Sequence, residues 1–304
     1  APNGKLYGIT EAGGVHGQGT IFEVDPITEN VVKKVDFDNS VGRLPTGGLT
    51  LASNGKLYGI TQNGGEYDRG VIFEYNYNTN TLVKLKNIYP LGQTPRGGLV
   101  QATNGKLYGT ACYGGTWAYG MLFSYDIGLD SLTRHDSFDR YVKGAYPYGK
   151  LMQATSGKIY GTTSNYGTHG KGNVFEFDIA ADSIRVIDNF TDSNGATPYG
   201  GLTQIANGNI YGVASRGSIN GLGVKYGVVY QLDLIADTII PLANYSASVT
   251  GYGGYGELLE ASNGKLYITS AYTSNGTRAA TINEFDFWFG RTNRFARNGI
   301  NQPV

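Results

Sequence analysis

Side chains that could bind or transform a ligand are concentrated in a few short, glycine-flanked segments. Glu66-Tyr67-Asp68-Arg69 is the densest, and Thr116-Trp117-Ala118-Tyr119 holds the same place 50 residues later. Aromatic rings stack on the apolar faces of sugars, while planar polar groups bond their hydroxyls. We therefore predict a ligand-binding rim made of Tyr67, Asp68, Arg69, Arg96, Trp117, Tyr119, Tyr148, Tyr199 and Tyr255. The alternative is that several of these tyrosines only pack between structural repeats.

Other chemistry finds less support in the sequence. The 66–69 loop could serve acid–base catalysis in a polysaccharide lyase or hydrolase, which needs a carboxylate pair or a Tyr/His/Arg set. His16 and His169 lie in equivalent loops of distant repeats, so they are not expected to share a metal. Asp/Asn-rich turns after each third strand fit Asx turns better than calcium sites. We predict no metal, no cofactor and no catalytic residue. The single cysteine, Cys112, is expected to be a small buried thiol.

Composition excludes several classes of partner. The chain has 304 residues with 24 basic and 24 acidic side chains, a formal net charge of +0. Without a basic stripe, nucleic acid is not an expected partner. No apolar run reaches the roughly 18 residues of a membrane helix, so no membrane insertion is expected.

One hexapeptide pattern recurs along the chain and indicates how these loops are positioned. Asn-Gly-Lys-Leu-Tyr-Gly begins at Asn3, and five close copies follow. Their tyrosines are Tyr7, Tyr58, Tyr108, Tyr160, Tyr211 and Tyr267. A period of about 50 residues is typical of propeller blades.

A single repeat, residues 45–95, predicts four antiparallel strands. Strand A covers residues 47–52, an Asn-Gly hairpin turn follows, and strands B, C and D cover 56–61, 71–76 and 81–87. Apolar residues on both faces of the strands indicate a sheet covered on both sides. Glycines that follow the repeated tyrosines are expected to mark close approach of the next blade: Gly8, Gly59, Gly109, Gly161 and Gly212.

The repeats together predict an all-β, six-bladed β-propeller with four-stranded antiparallel blades, forming one domain over residues 1–304. Its B strands are expected near residues 5, 56, 106, 158, 209 and 265. The chain starts at strand B and stops where a sixth strand A would begin. Either residues 298–304 close the ring, so that the termini share one blade, or the chain is part of a longer protein.

Antiparallel connections alternate between the two ends of a blade. The A–B and C–D turns therefore share one face, where the sequence is regular. The B–C and D–A loops share the other face, where nearly all the variation among repeats lies. Variable loops on a rigid scaffold commonly carry function, so the predicted rim belongs to this face.

The repeat also carries a Gly-Thr-x-Phe motif, literal at Gly19-Thr20-Ile21-Phe22 and looser at 70–73, 120–123, 172–175 and 227–230. On this motif the chain resembles the bacterial GloVer tandem repeat, with a kelch-like propeller architecture. The resemblance implies an extracellular or bacterial cell-surface location and brings no catalytic site.

Three functions remain open from the sequence. The first is a non-catalytic binding module or adhesin segment, with carbohydrate as ligand. The second is a polysaccharide-active enzyme on a propeller. The third is a protein–protein scaffold in a secreted or surface assembly. The expected partner is accordingly a glycan or a surface protein.

Overall fold

The computed structural model describes residues 1–219, 227–244, 252–254, 256–272, 281–286 and 293–295. The fold class is the predicted one, an all-β six-bladed propeller of mainly four-stranded antiparallel blades. Residues form two compact units: unit 1 is Ala1–Asp139 with Tyr146–Gln153, and unit 2 is Arg140–Ala145 with Ala154–Val304. Assignment of residues 1–304 to a single domain stays a prediction. Residues 298–304, on which the shared-blade prediction depends, lie outside the described residues.

Unit 1 contains sheets with the orders β1-β2-β3, β4-β5-β6-β7 and β8-β10-β11-β12, and β9 pairs with β10. Its strands are β1 (Leu6–Thr10), β2 (Thr20–Val24), β3 (Val31–Asp36), β4 (Arg43–Leu51), β5 (Leu57–Asn63), β6 (Val71–Asn76), β7 (Thr81–Asn87), β8 (Gly92–Pro95), β9 (Val100–Gln101), β10 (Leu107–Gly114), β11 (Met121–Asp126), β12 (Ser131–Ser137) and β13 (Met152–Gln153).

Unit 2 contains sheets with the orders β14-β15-β16, β17-β18-β19-β20 and β21-β23-β24-β25, and β22 pairs with β23. Its strands among the described residues are β14 (Ile159–Thr163), β15 (Asn173–Asp178), β16 (Ser183–Asn189), β17 (Thr203–Gln204), β18 (Ile210–Ala214), β19 (Val228–Asp233), β20 (Thr238–Asn244), β21 (Tyr252–Gly254), β22 (Leu259–Glu260), β23 (Leu266–Tyr272), β24 (Thr281–Asp286) and β25 (Asn293–Phe295).

The six B strands (β1, β5, β10, β14, β18 and β23) begin within one or two residues of the predicted positions. Each follows a tight turn, as the Asn-Gly pairs indicate. At Asn54-Gly55, the side-chain carbonyl of Asn54 accepts the backbone N–H of Lys56 at 3.1 Å, and Gly55 has φ +79°. Only glycine adopts that backbone angle without steric cost, so the hairpin is encoded locally.

Strand A of the second blade differs from the prediction. It begins at Arg43, four residues before the predicted start, and its pairing with β5 shifts register between Thr46 and Thr50. Pro45 and Thr46, which were predicted to precede strand A, therefore belong to it, and Gly47 and Gly48 lie at an irregularity within the strand. Arg43 and Leu44 consequently belong to β4, the edge strand of this sheet.

Glycines after the repeated tyrosines have a different role from the predicted one. Gly59 pairs with Phe73 on the neighbouring strand, and a Cβ at Gly59 would collide with that phenylalanine ring. Gly8 and Phe22, Gly109 and Phe123, and Gly212 and Tyr230 repeat this arrangement. The close approach thus occurs within one blade, where the aromatic ring of strand C lies over the glycine of strand B.

Adjacent blades are joined by repeated side-chain-to-backbone hydrogen bonds at their A–B turns. In unit 1, Gln101 Oε1 accepts the N–H of Ser53 at 2.7 Å, and Gln153 Oε1 accepts that of Thr103 at 2.8 Å. In unit 2, Gln204 Oε1 accepts the N–H of Thr155 at 2.8 Å. Each bond satisfies a turn N–H that would otherwise need water and fixes one blade against the next.

One buried group in unit 2 lacks a hydrogen bond. Tyr230 is fully buried, and its hydroxyl has no partner. Equivalent positions in four other repeats hold phenylalanine: Phe22, Phe73, Phe123 and Phe175. A buried unsatisfied hydroxyl costs about 1–3 kcal/mol.

We expect Tyr230→Phe to raise the free energy of unfolding by about 1 kcal/mol, because it removes that hydroxyl at nearly constant volume. Urea denaturation followed by far-UV circular dichroism measures the change. Tyr58→Phe is the matched control: its hydroxyl accepts from Asn54 at 2.8 Å and donates to Glu74 at 2.7 Å, so the same change should destabilise. A loss of stability in Tyr230→Phe would contradict the prediction.

Candidate functional site

B–C loops of unit 1 are attached to the following repeat by main-chain hydrogen bonds. The N–H of Leu44 donates to the carbonyl of Gln18 at 3.0 Å, that of Thr94 to Arg69 at 3.1 Å, and that of Tyr146 to Tyr119 at 3.1 Å. All three donors have left-handed backbone angles, φ +55°, +52° and +58°. Non-glycine residues seldom adopt this conformation, so the joint imposes it on each of them.

A proline follows each of these left-handed residues and lies against the glycine of the Gly-Thr-x-Phe motif. A Cβ on Gly19 would lie 2.6 Å from Cδ of Pro45, and one on Gly70 or Gly120 would lie 2.8 Å from Cδ of Pro95 or Pro147. A strand B carbonyl oxygen lies as near or nearer, at 2.4 Å for Gly19 and Gly70 and 2.8 Å for Gly120, so the motif glycine is required both by its own blade and by the proline of the next repeat. The B–C loop and the segment before strand A are thereby held together, and their side chains share one edge of the blades in unit 1.

Three of the predicted rim residues, Arg96, Tyr119 and Tyr148, are close together at the third blade of unit 1. The Arg96 guanidinium carbon lies 5.3 Å from the ring centroid of Tyr148. The ring centroids of Tyr119 and Tyr146 are 6.3 Å apart. Tyr113, which was not predicted, links them: its ring is 5.2 Å from that of Tyr146, and its side chain is hydrogen-bonded to Tyr148. We call Arg96, Tyr113, Tyr119, Tyr146 and Tyr148 the tyrosine–arginine cluster.

Trp117 lies in the same B–C loop as Tyr119 and is 61% exposed. Tyr113 is 41% exposed, whereas Tyr119, Tyr146 and Tyr148 are half-buried. Large aromatic side chains cost free energy when they face water. The cluster thus has a partly buried base and one accessible ring, Tyr113, and the exposed Trp117 lies two residues before Tyr119 in the same loop.

The floor beneath the cluster is apolar. Cys112 is buried, its Sγ donates to the carbonyl of Pro147 at 3.4 Å, and burial raises the pKa of its thiol to about 12. Burial likewise raises the pKa of Tyr148 well above its usual value, with Cys112 and Tyr113 adding to the effect. Cys112 is therefore a neutral packing residue, as the sequence predicts, and Tyr148 is a hydrogen-bonding phenol at physiological pH.

Tyr67, Asp68 and Arg69 occupy the preceding B–C loop, also in unit 1, and their side chains are exposed. The Tyr67 ring lies 4.8 Å from that of Tyr89, which is 40% exposed. Asp68 forms a two-point ion pair with Arg43: Nε donates to Oδ1 at 3.1 Å and Nη2 to Oδ2 at 2.7 Å. Arg43 and Tyr89 were not predicted as site residues.

Asp68 is held as a carboxylate. The Arg43 guanidinium, followed by the backbone N–H of Gly64 at 2.7 Å, keeps the pKa of Asp68 below its usual range. An acid that protonates a leaving group needs a raised pKa. Asp68 is therefore suited to accepting hydrogen bonds and not to donating a proton near neutral pH.

The remaining two predicted rim residues are not part of these groups. Tyr199 is half-buried in unit 2. Tyr255 lies outside the described residues. Neither tyrosine is assigned to a site on the geometry of unit 1.

The opposite edge of the blades is regular, as predicted. Asp126 Oδ1 accepts the N–H groups of Gly128 and Leu129, both at 3.0 Å, and Asp178 and Asp233 cap their C–D turns in the same way. These Asx turns confirm the interpretation given to the Asp-rich turns. Within the described ranges, no three His, Cys, Asp or Glu side chains are grouped as metal ligands are.

A tyrosine network repeats along this regular edge. In blade two, Asn54 donates to Tyr58, Tyr58 donates to Glu74, and Lys56 donates to Glu74 at 2.7 Å. Tyr7 donates to Glu23, Tyr160 to Glu176 and Tyr267 to Glu284 in the same manner. The repeated tyrosines are thus structural, and the accessible aromatic groups of unit 1 described above lie at the variable edge.

The fold, together with the repeated main-chain hydrogen bonds between each B–C loop and the following repeat, defines the protein as a tandem-repeat β-propeller. A profile of the Gloeobacter/Verrucomicrobia repeat family matches residues 1–153 and 95–287. The chain belongs to this family. The resemblance inferred from the Gly-Thr-x-Phe motif is therefore confirmed.

Solved structures share the fold at low sequence identity. A nidogen/laminin complex matches with TM-score 0.60 and 11% identity over 95% of this chain and 92% of that one. The extracellular domain of a hybrid two-component system from B. thetaiotaomicron matches with TM-score 0.61 and 13% identity, over 96% of this chain and 33% of that one. TolB from Acinetobacter baumannii matches with TM-score 0.54 and 13% identity, over 93% and 61%.

No curated protein matches the sequence. Among the residues that the structure describes, none belongs to a helix that could cross a membrane.

Proposed function

We propose that this protein is a non-catalytic extracellular binding module, displayed at a bacterial surface or secreted, whose ligand is a glycan. The observation that carries the proposal is the exposed Trp117, which shares its loop with Tyr119 of the tyrosine–arginine cluster. Indole and phenol rings stack on sugar faces, and arginine and tyrosine hydroxyls bond sugar oxygens. Rings held by packing lose little conformational entropy when a ligand binds.

Several further observations support this proposal. The variable side chains of unit 1 stand on main-chain joints that do not depend on side-chain identity, which suits a recognition surface. The family is named for bacteria, and one structural neighbour is an extracellular domain. A bacterial extracytoplasmic location would expose the module to polysaccharides and surface proteins.

A catalytic function is less well supported by the geometry. The 66–69 loop holds its aspartate in an ion pair with a lowered pKa, which disfavours a general-acid role. An ionised Asp68 can act only as a base or nucleophile, so glycan hydrolysis at this loop would need a second group as the general acid.

The proposal is tested with a panel of bacterial, plant and animal polysaccharides, measuring binding and checking the products for chain shortening. We expect Trp117→Ala to weaken binding at least tenfold, equivalent to about 1.4 kcal/mol. Leu129→Ala is the control, because Leu129 is as exposed but lies in the C–D turn at the opposite end of the same blade.

Binding without cleavage that Trp117→Ala weakens and Leu129→Ala leaves intact would support the module. Shortened products would replace it with a polysaccharide-active enzyme. No binding to any glycan would overturn the glycan assignment and favour a protein partner.

A further inference from the structure

We propose that a polar groove in unit 1, separate from the tyrosine–arginine cluster, binds the vicinal hydroxyl groups of an uncharged saccharide. This inference rests on the proposed function and adds to it a second subsite and a ligand class. The groove has a volume of about 460 Å³, within the usual range of about 300–1,000 Å³ for small-molecule sites. Its lining residues are Gln18, Asn39, Arg43, Gly64, Gly65 and Asp68.

Three chain segments are brought together to form the groove, and each is fixed by main-chain or side-chain bonds. Gln18 ends the first B–C loop, and its carbonyl accepts the N–H of Leu44. Asp68 lies in the second B–C loop with φ +53° and accepts the N–H of Gly64. Arg43 begins β4 between them. The polar groups are therefore in place before a ligand arrives.

The Arg43–Asp68 pair offers matched donors and acceptors to a diol. Arg43 uses Nε and Nη2 on the carboxylate, and a guanidinium has five N–H donors in all. Asp68 keeps lone pairs beyond those that these bonds occupy, and its side chain is 56% exposed. One sugar hydroxyl can accept from Arg43 while its neighbour donates to Asp68.

The Gln18 side chain in the lining has an unsatisfied polar atom. Its Oε1 atom is buried and accepts no hydrogen bond. Buried acceptors are almost always satisfied, because desolvation without a partner costs free energy. This oxygen is closed to solvent as the groove stands, so the ligand contacts are assigned to Arg43 and Asp68.

The charge balance of the lining selects an uncharged ligand. The groove contains one cation and one anion, and they already neutralise each other at 2.7 Å. A sugar acid would meet the Asp68 carboxylate, and an amino sugar cation would meet Arg43. A neutral hexose places only hydroxyl groups against the pair.

The test uses the whole chain and three neutral probes: the methyl glycosides of glucose, mannose and galactose, with methyl glucuronide as the charged comparison. Saturation-transfer NMR detects binding, and calorimetric titration measures its strength. We expect at least one neutral glycoside to bind, methyl glucuronide to bind more weakly, and Asp68→Asn to weaken binding at least tenfold.

Asp130→Asn is a closely matched control. Asp130 is also exposed, has φ +48° and forms a 2.7 Å ion pair with Lys86, but it lies in a C–D turn. Asparagine tolerates left-handed angles, so both variants should fold. We expect Asp130→Asn to bind like the unaltered protein.

Equal binding by Asp68→Asn, preferred binding of the glucuronide, or no binding of any neutral glycoside would each overturn the groove assignment. If polysaccharides still bind and Trp117→Ala weakens that binding, the module remains supported while the groove fails. Failure of every glycan in both experiments would overturn both proposals.

Discussion

Gly98→Ala is expected to lower the free energy of unfolding by about 4 kcal/mol, the sum of about 3 kcal/mol for overpacking and about 1 kcal/mol for the backbone angle. Gly98 has φ +79°, and a Cβ there would collide with the carbonyl group of Gly47 in the preceding repeat. Both partners are main chain, so no side chain can rotate away. Chemical denaturation monitored by circular dichroism measures the loss.

Gly55→Ala separates the two contributions. Gly55 has the same φ of +79°, but nothing lies within 4 Å of a Cβ at that position. It should lose only about 1 kcal/mol, the cost of a left-handed alanine. Equal losses in the two variants would show that the contact between Gly98 and Gly47 relaxes without cost and would contradict the prediction.

The second large effect is a loss of stability at alkaline pH. Burial, the largest cause in each case, raises the pKa of Tyr7, Tyr58 and Tyr75 to about 12. A hydrogen bond to Glu23 or Glu74 adds to the effect for Tyr7 and Tyr58. Because the folded protein favours the neutral phenol, these groups stabilise it fully below the unfolded pKa of about 10.

That contribution is lost as pH rises from about 10 through 12, where the unfolded chain ionises first. We expect the free energy of unfolding to be level near neutral pH and to fall steeply in this window. Urea midpoints at half-unit pH intervals, combined with tyrosinate absorbance, measure the fall. Tyr58→Phe should flatten the slope, whereas the exposed Tyr141→Phe should not. An unchanged midpoint from pH 10 to 12 would refute the proposed linkage.

Periodic features of the fold could be predicted from sequence because they are encoded locally. The Asn-Gly turns fix the A–B hairpins, and the Asp residues cap the C–D turns by bonds spanning two or three residues. Strands β6 and β7 have the predicted bounds. Neither the start of β4 nor the partner of Gly59 follows from a local signal. Both depend on register against another strand, and a repeat pattern does not specify which residues face each other.

The site could be predicted in part for the same reason. Aromatic character and loop position singled out Trp117, Tyr119 and Tyr148. Tyr113 was missed because β10 extends to Gly114, beyond the predicted end of strand B. Arg43 was missed because its partner Asp68 is 25 residues away, and only the joint between repeats brings them together.

Those joints have a consequence for how such a chain can change over time. The loop residues whose carbonyls hold the next repeat are Gln18, Arg69, Tyr119 and, within unit 2, Lys171. Four chemically unrelated side chains occupy equivalent positions, because the hydrogen bond to the next repeat uses only the main-chain carbonyl. On the proposed function, a mutation there would change the recognition surface while the main-chain bond to the next repeat is kept. Duplicated repeats can therefore diverge in specificity independently, and the same positions offer an engineer a set of sites for randomisation on an unchanged backbone.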